Sequence, residues 1–152
     1  MTVCRRYSCD YKEAEDMLQE SFVSIFSCID QYRFEGSFEG WIRKIVVHTA
    51  IRMIQRKKVH FTGIAGEAQD APAVDADALD QLGAEELLSL ISNLPDGYRT
   101  VFNLYIVEGY DHNEIAAMLE ITPATSRSQL LKARLLLQTR IKEQKKIPEN
   151  YE

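Results

Sequence analysis

The stretch GYDHNEIAAMLEITPATSRSQLLKARLLL, residues 109–137, holds two helical periods separated by a short break. His112 to Leu119 places Ile115, Ala116 and Leu119 on one face, and Glu120-Ile121-Thr122 interrupts the period. Thr122 as N-cap, with Pro123 at the first helical position, then opens a long second helix. Ala116 is small where two helices must approach, Ile121 is placed to plug the turn, and Leu130 to anchor the second helix, which together predict a helix-turn-helix. Ala124, Thr125, Arg127, Ser128, Gln129 and Lys132 are left near the exposed start of that second helix. All but Ala124 are side chains that hydrogen-bond base edges and phosphates in a major groove. An ordinary helical hairpin shares part of this pattern.

Two further helices are expected upstream. Leu87, Leu88, Ile91 and Leu94 share a helical face that ends at the turn sequence Pro95-Asp96-Gly97, and Tyr98 to Glu108 forms the next helix, stopped by Gly109. His112 is expected to be a surface or capping residue. Upstream again, from Val59 to Gly83, the chain is rich in Ala, Asp and Gly and shows no sustained apolar period, so it reads as a flexible linker. The division predicted is 1–58, 59–83 and 84–152: two small all-α domains joined by an acidic linker.

Charge follows the same division. The chain of 152 residues has 18 Lys and Arg against 23 Asp and Glu, a net of -5, which if uniform would disfavour nucleic acid. The acids Glu67, Asp70, Asp75, Asp77 and Asp80 fall together in the linker, however, with no base among them. Ile42 to Lys58 carries Arg43, Lys44, Arg52, Arg56, Lys57 and Lys58 without an acid, and Pro123 to Lys146 has seven bases against Glu143. Local patches, not net charge, meet phosphates.

In the first domain, Leu18, Phe22, Ile25, Phe26 and Ile29 predict one face of a helix from Glu13 to Ile29. A second helix is expected from the N-cap Ser37, with Trp41, Ile42, Ile45, Thr49, Met53 and Ile54 inward. Lys44, His48, Arg52, Gln55 and Arg56 lie on the opposite face. Tyr32, Phe34 and Phe38 crowd the intervening loop, and such rings stack on unpaired bases while nearby cations hold the backbone. Aromatics between amphipathic helices also plug cores, so this domain alone leaves both uses open.

Composition excludes other classes. At 45% hydrophobic and 27% charged the chain can build cores, and no apolar run approaches the roughly 20 residues of a membrane helix. No signal-peptide pattern opens it, so a cytoplasmic protein is expected. Cys4, Cys9 and Cys28 have no metal-ligand spacing and are expected to be reduced thiols. His48, His60 and His112 have no nucleophile or metal partners at suitable spacing, so neither an enzyme, a metal site nor a cofactor is predicted.

The order EAEDMLQESF, YRFEGSFEGWIRKIVVHTAIRMIQRKK, an acidic linker, then LPDGYRTVFNLYIVEGYDHNEIAAMLEITPATSRSQLLKARLLL resembles an extracytoplasmic-function (ECF) sigma factor of the bacterial sigma-70 family, with regions 2 and 4 only. The resemblance implies a transcription initiation factor that binds core RNA polymerase and directs it to promoters, without being an enzyme. It implies that Asp16, Gln19 and Glu20 dock on the polymerase, that Tyr32, Phe34, Phe38 and Trp41 serve strand opening, and that Lys44, His48 and Arg52 read the -10 element. The -35 element falls to Thr122, Ala124, Thr125, Arg127, Ser128, Gln129 and Lys132, and an anti-sigma factor is the further partner. The family usually has Asn at His48 and often a base at Gln129. It also carries a helix before VCRRYSCDYKEAED, so region 2 is expected to lack its first helix. The rival is a plain helix-turn-helix regulator with a sensing first domain, although no alternating strands with clustered Asp at their ends suggest a phosphoacceptor domain.

Overall fold

The computed structural model describes residues 1–57 and 83–145, and among them all regular structure is helical. The chain divides into two compact units, Met1–His60 and Phe61–Glu152. The expected linker lies outside the described residues apart from Gly83.

Unit 1 consists of α1 (Thr2–Tyr7), α2 (Tyr11–Cys28), a 3-10 turn (Ile29–Gln31) and α3 (Phe38–Arg56). Asp10 caps α2, its carboxylate accepting the Glu13 amide at 2.7 Å. The inward face of α2 is Ala14, Met17, Ser21 and Ile25, packed with Cys4 and Tyr7 of α1 and with Val46, Val47, Ala50, Ile51 and Ile54 of α3. That corrects the expected faces. Phe22 is 50% exposed, Phe26 72% and Ile29 38%, while Leu18 is half-buried. Two stripes run side by side on α2, and the one with the smaller side chains lets α1 and α3 approach closely. On α3 the core is likewise rotated toward Val46, Val47 and Ile51, leaving Trp41, Ile42, Ile45 and Met53 half-buried.

A polar latch closes this unit. Glu13, buried, pairs with Lys57 just beyond α3 and accepts the Cys9 amide and thiol, each at 2.9 Å. Burial alone would push the Glu13 carboxyl up, but the bonds from Cys9 and Lys57 outweigh it and hold the group below its ordinary value. The same bond to Glu13, with some burial, pushes the Cys9 thiol up to about 11, so it stays protonated at neutral pH. All three cysteines are free thiols.

Unit 2 consists of α4 (Ala84–Ser92), α5 (Asp96–Phe102) continued by a π turn (Asn103–Val107), α6 (His112–Leu119) and α7 (Pro123–Lys145). Pro95-Asp96-Gly97 is a helix start rather than a free turn: Pro95 is the extended cap residue and Asp96 opens α5. Its carboxylate pairs with Arg99, which is 1% exposed and donates to the carbonyls of Ser92 at 2.9 Å and Leu94 at 2.8 Å. One guanidinium therefore satisfies the chain end of α4 from within α5. The predicted helix to Glu108 widens at Asn103, whose buried side-chain amide donates to the Arg99 carbonyl at 3.0 Å, and Gly109 ends it at φ +78°.

The helix-turn-helix follows. Asp111 caps α6, accepting from Asn113 and Glu114 amides at 2.7 and 2.9 Å, while Glu114 accepts the Asp111 amide at 2.8 Å. Glu120 turns the chain in the left-handed region at φ 56°, and the Ile121 amide donates to the Ala116 carbonyl at 3.0 Å. Ile121 is only half-buried, so backbone bonding closes the turn more than an apolar plug does. The Thr122 hydroxyl accepts the Thr125 amide at 3.1 Å, the cap expected before Pro123. Ile115, Ala116 and Leu119 of α6 meet Leu130, Ala133 and Leu137 of α7 in the core.

Candidate nucleic-acid interface

Unit 1 presents its cations on one line. With the core of α3 on the other side, Lys44, His48 and Arg52 are exposed at four-residue spacing, and Arg56 continues the row. The Arg52 guanidinium is held by the hydroxyls of Ser24 at 3.2 Å and Thr49 at 3.1 Å, so its reach is fixed across α2. Between the helices these cations border a groove of about 610 Å³ whose other walls include Val23, Ser27, Cys28, Trp41 and Ile45.

At one end of α3 stands the aromatic loop. Tyr32 is its hub, with ring centroids 5.0 Å from Phe34, 5.1 Å from Phe38 and 5.4 Å from Trp41, while Phe38 and Trp41 stack at 5.8 Å. The Tyr32 hydroxyl donates to the Gly36 carbonyl at 3.0 Å, and the Ser37 hydroxyl accepts the Gly40 amide at 3.2 Å to start α3. Phe34 sits at φ 58°, a left-handed conformation unfavourable for a bulky residue, and its ring is 86% exposed. The loop is thus not a core plug: Tyr32 and Trp41 are half-buried, whereas Phe34 and Phe38 face solvent. Exposed aromatic rings at the start of a helix that carries Lys44 and Arg52 are the side-chain types that stack on bases and hold phosphates.

Of the residues expected to dock a partner, Asp16 and Gln19 are exposed on α2. Glu20 is half-buried, with Arg56 at 3.9 Å, too long and too exposed a pair to contribute much stability.

On α7 the expected face narrows. Ala124 and Arg127 are exposed, Thr122 is exposed as the cap, and Thr125 and Lys132 are half-buried. The Thr125 hydroxyl lies 2.9 Å from that of Thr122, so it is engaged within the cap. Ser128 and Gln129, expected near the exposed start, are 8% and 2% exposed. The cause is that α7 packs on both α5 and α6, so its buried arc extends past Leu130 to Ser126, Ser128 and Gln129. Direct contact from the outer surface is left to Ala124 and Arg127, with Thr122, Thr125 and Lys132 at its margins.

His112 is half-buried, and the cap of α6 is Asp111 rather than His112. Its ring stacks on Tyr105 at 4.5 Å between centroids, and Nδ1 lies 2.9 Å from the hydroxyl of Ser126, which is fully buried. Burial, then the positive charge of Arg127 and Arg134, holds its pKa below the ordinary value, against the opposing pull of Asp111. The sequence signal that could have placed it was Asp111 itself, the better capping residue one position earlier.

Among the described residues no cluster of His, Cys, Asp or Glu could hold a metal ion, and no helix is long and apolar enough to cross a membrane.

Comparison with known proteins reaches both units. Residues 1–59 match the family described as Sigma-70 region 2, and residues 84–137 match Sigma-70, region 4. The chain is similar to the ECF RNA polymerase sigma factor SigE of Mycolicibacterium smegmatis, 29% identical over 135 residues, covering 85% of this chain and 52% of that protein. It is similar to the ECF RNA polymerase sigma-E factor of Haemophilus influenzae, 27% identical over 138 residues (83% of this chain, 73% of the relative). The Escherichia coli protein of the same description is 25% identical over 146 residues (85% and 74%). The chain therefore spans about half the length of the first relative and about three quarters of the other two.

Proposed function

The chain belongs to the ECF group of the sigma-70 family, and on that premise we propose that it is a transcription initiation factor that binds core RNA polymerase and brings it to specific promoters. The observation that carries the reading is the exposed line Lys44, His48 and Arg52 on the helix that starts from a loop whose Phe34 is exposed. A plain helix-turn-helix regulator has no need of such a surface.

In this reading the two domains divide the promoter. Residues 84–152 engage the -35 duplex through α7, with Arg127 the principal side chain and Thr122, Ala124, Thr125 and Lys132 around it. Ser128 and Gln129 support the helix from its inner side. Residues 1–58 engage the -10 element: Lys44, His48 and Arg52 hold the backbone, while Tyr32, Phe34, Phe38 and Trp41 receive a base from the opened strand. Stacking is worth roughly 1 to 3 kcal/mol per base, comparable with the cost of unpairing it, so the loop can tilt the balance toward opening. Asp16, Gln19 and Glu20 dock on the polymerase, and the acidic segment 59–83 connects the domains. An anti-sigma factor is the partner that would compete for these surfaces.

Recovery of core polymerase on the tagged full chain from its native host tests the reading. Polymerase subunits in the eluate, lost when Asp16 and Gln19 are both changed to Ala, are the expected result. A chain that leaves polymerase behind yet binds a promoter duplex tightly by itself would make it a plain regulator.

A further inference from the structure

His112 joins three elements at the base of the helix-turn-helix. It opens α6, stacks its ring on Tyr105 of the π turn, and meets Ser126 in the first turns of α7, one residue before Arg127. Ser126 and the backbone beneath it are buried, so the ring fixes where α7 begins relative to α6. The residues facing the imidazole are Tyr105 from the π turn, Asp111 from its own cap, and Ser126, Arg127 and Arg134 from α7.

We propose that His112 is a positioning residue for the recognition helix and that a DNA backbone bound at α7 draws a proton onto its imidazole. This inference rests on the reading of α7 as a DNA-binding helix. In the free chain burial, and then Arg127 and Arg134, disfavour a positive charge on the ring, and Asp111 only partly offsets them. A phosphate drawn to Arg127 offsets that residue's charge, so the balance at the ring moves toward the imidazolium and its titration moves up. The proton comes from solvent on binding and returns to it on release. With both ring nitrogens protonated, Nδ1–H donates to the Ser126 hydroxyl, so the contact that sets the helix is retained as charge is gained. By linkage, a ring that takes up a proton on binding makes DNA affinity rise as pH falls.

The test uses the full chain and a mixed-sequence duplex of about 20 base pairs at about 50 mM salt, where phosphate contacts suffice for binding. Nuclear magnetic resonance follows the His112 ring against pH with and without DNA, together with the amide signals of α7. Affinity is measured near pH 6 and pH 8 for the wild type, His112→Gln, which keeps a hydrogen-bonding side chain but cannot titrate there, and Ser126→Ala. An upward move of the His112 titration on adding DNA is expected, with binding about threefold tighter at the lower pH. His112→Gln removes that part of the pH dependence, leaving any contribution of His48. Ser126→Ala displaces the ring titration. If the α7 amides respond to DNA but the His112 titration stays in place, the proposal is overturned and DNA binding by α7 stands. If the α7 amides do not respond at all, the DNA-binding reading of this unit falls, and the proposal with it. The wild-type titration decides the matter even if His112→Gln fails to fold.

Discussion

Unit 1 leaves Phe22, Val23, Phe26 and Phe34 between half and almost fully exposed, whereas the described large apolar side chains exposed in unit 2 are Ile106 and Leu135. Among the described residues the two are of similar length and their regular structure is all helical, so the contrast lies in how the helices are covered. In unit 2, α7 is flanked by α5 and α6, and its Leu130, Ala133, Leu137 and Ile141 are buried in the core, with Leu135 left exposed. In unit 1, α2 turns a small-residue stripe inward and carries a second, larger one outward. Exposed apolar side chains along one helix are what a macromolecular contact uses. In the proposed function, unit 2 reads duplex with a covered core, while unit 1 keeps apolar surface for contacts that the chain alone does not supply.

The largest effect should separate the two stripes of α2. Met17→Ala, in the inner stripe, is expected to destabilise unit 1 by about 2 to 5 kcal/mol. Phe26→Ala, in the outer stripe, should shift stability by less than about 0.5 kcal/mol while weakening polymerase binding. Urea unfolding followed by residue-resolved signals, with a polymerase pull-down alongside, measures both. Equal destabilisation by the two changes would erase the contrast between the units.

In unit 2 the corresponding weak point is polar. Arg99→Ala removes the buried guanidinium that caps α4 and leaves the Ser92 and Leu94 carbonyls unmet, at a cost of about 3 kcal/mol confined to signals from residues 83–145. Loss of unit 1 signals at the same urea concentration would mean that the units do not unfold independently.

Acid should act on unit 1 first through its latch. The Glu13 carboxyl is held below its ordinary value, so the folded state binds fewer protons there than the unfolded state. The stability this contributes is complete above the ordinary carboxylate range and is lost as pH falls through the depressed folded value. Glu13→Gln should therefore flatten the acid limb of unit 1 stability, measured by hydrogen exchange across the acid range, and leave unit 2 unaltered. An unchanged acid limb would mean that other carboxylates dominate it.

The smallest effect is a gain. Glu120 occupies a left-handed position where glycine is at ease, so Glu120→Gly should stabilise unit 2 by about 1 kcal/mol in thermal unfolding. A loss would show that the Glu120 side chain contributes more than its backbone strain costs.

Much of this was legible from residue order alone. The caps Ser37 and Thr122 announced themselves, because each acts through a local bond that the sequence carries within three residues, whereas the equally local pair Asp111 and Glu114 was passed over. The outward line of Lys44, His48 and Arg52 was legible too, since charged side chains on one helical face leave it little choice of solvent side. The core face of α2 was not, because two apolar stripes compete and the choice depends on how closely α1 and α3 approach. Ser128 and Gln129 were misjudged for a similar reason: burial of polar residues on α7 is decided by a second neighbour, α5, which periodicity within α7 does not encode. Arg99 escaped notice, and His112 was expected only as a surface or capping residue, because the carbonyls of Ser92 and Leu94 and the hydroxyl of Ser126 that they meet carry no sequence signature.

The central claim is that unit 1 acts on the opened strand while unit 2 secures the duplex. In vitro transcription with core polymerase tests it directly, using Lys44→Ala/Arg52→Ala on two templates that share a -35 element, one fully duplex and one already mismatched across the -10 region. Activity is expected to drop on the duplex and to be substantially rescued on the premelted template, with polymerase binding intact. Equal loss on both templates would reduce the Lys44, His48 and Arg52 line to a general phosphate contact and contradict the division of labour.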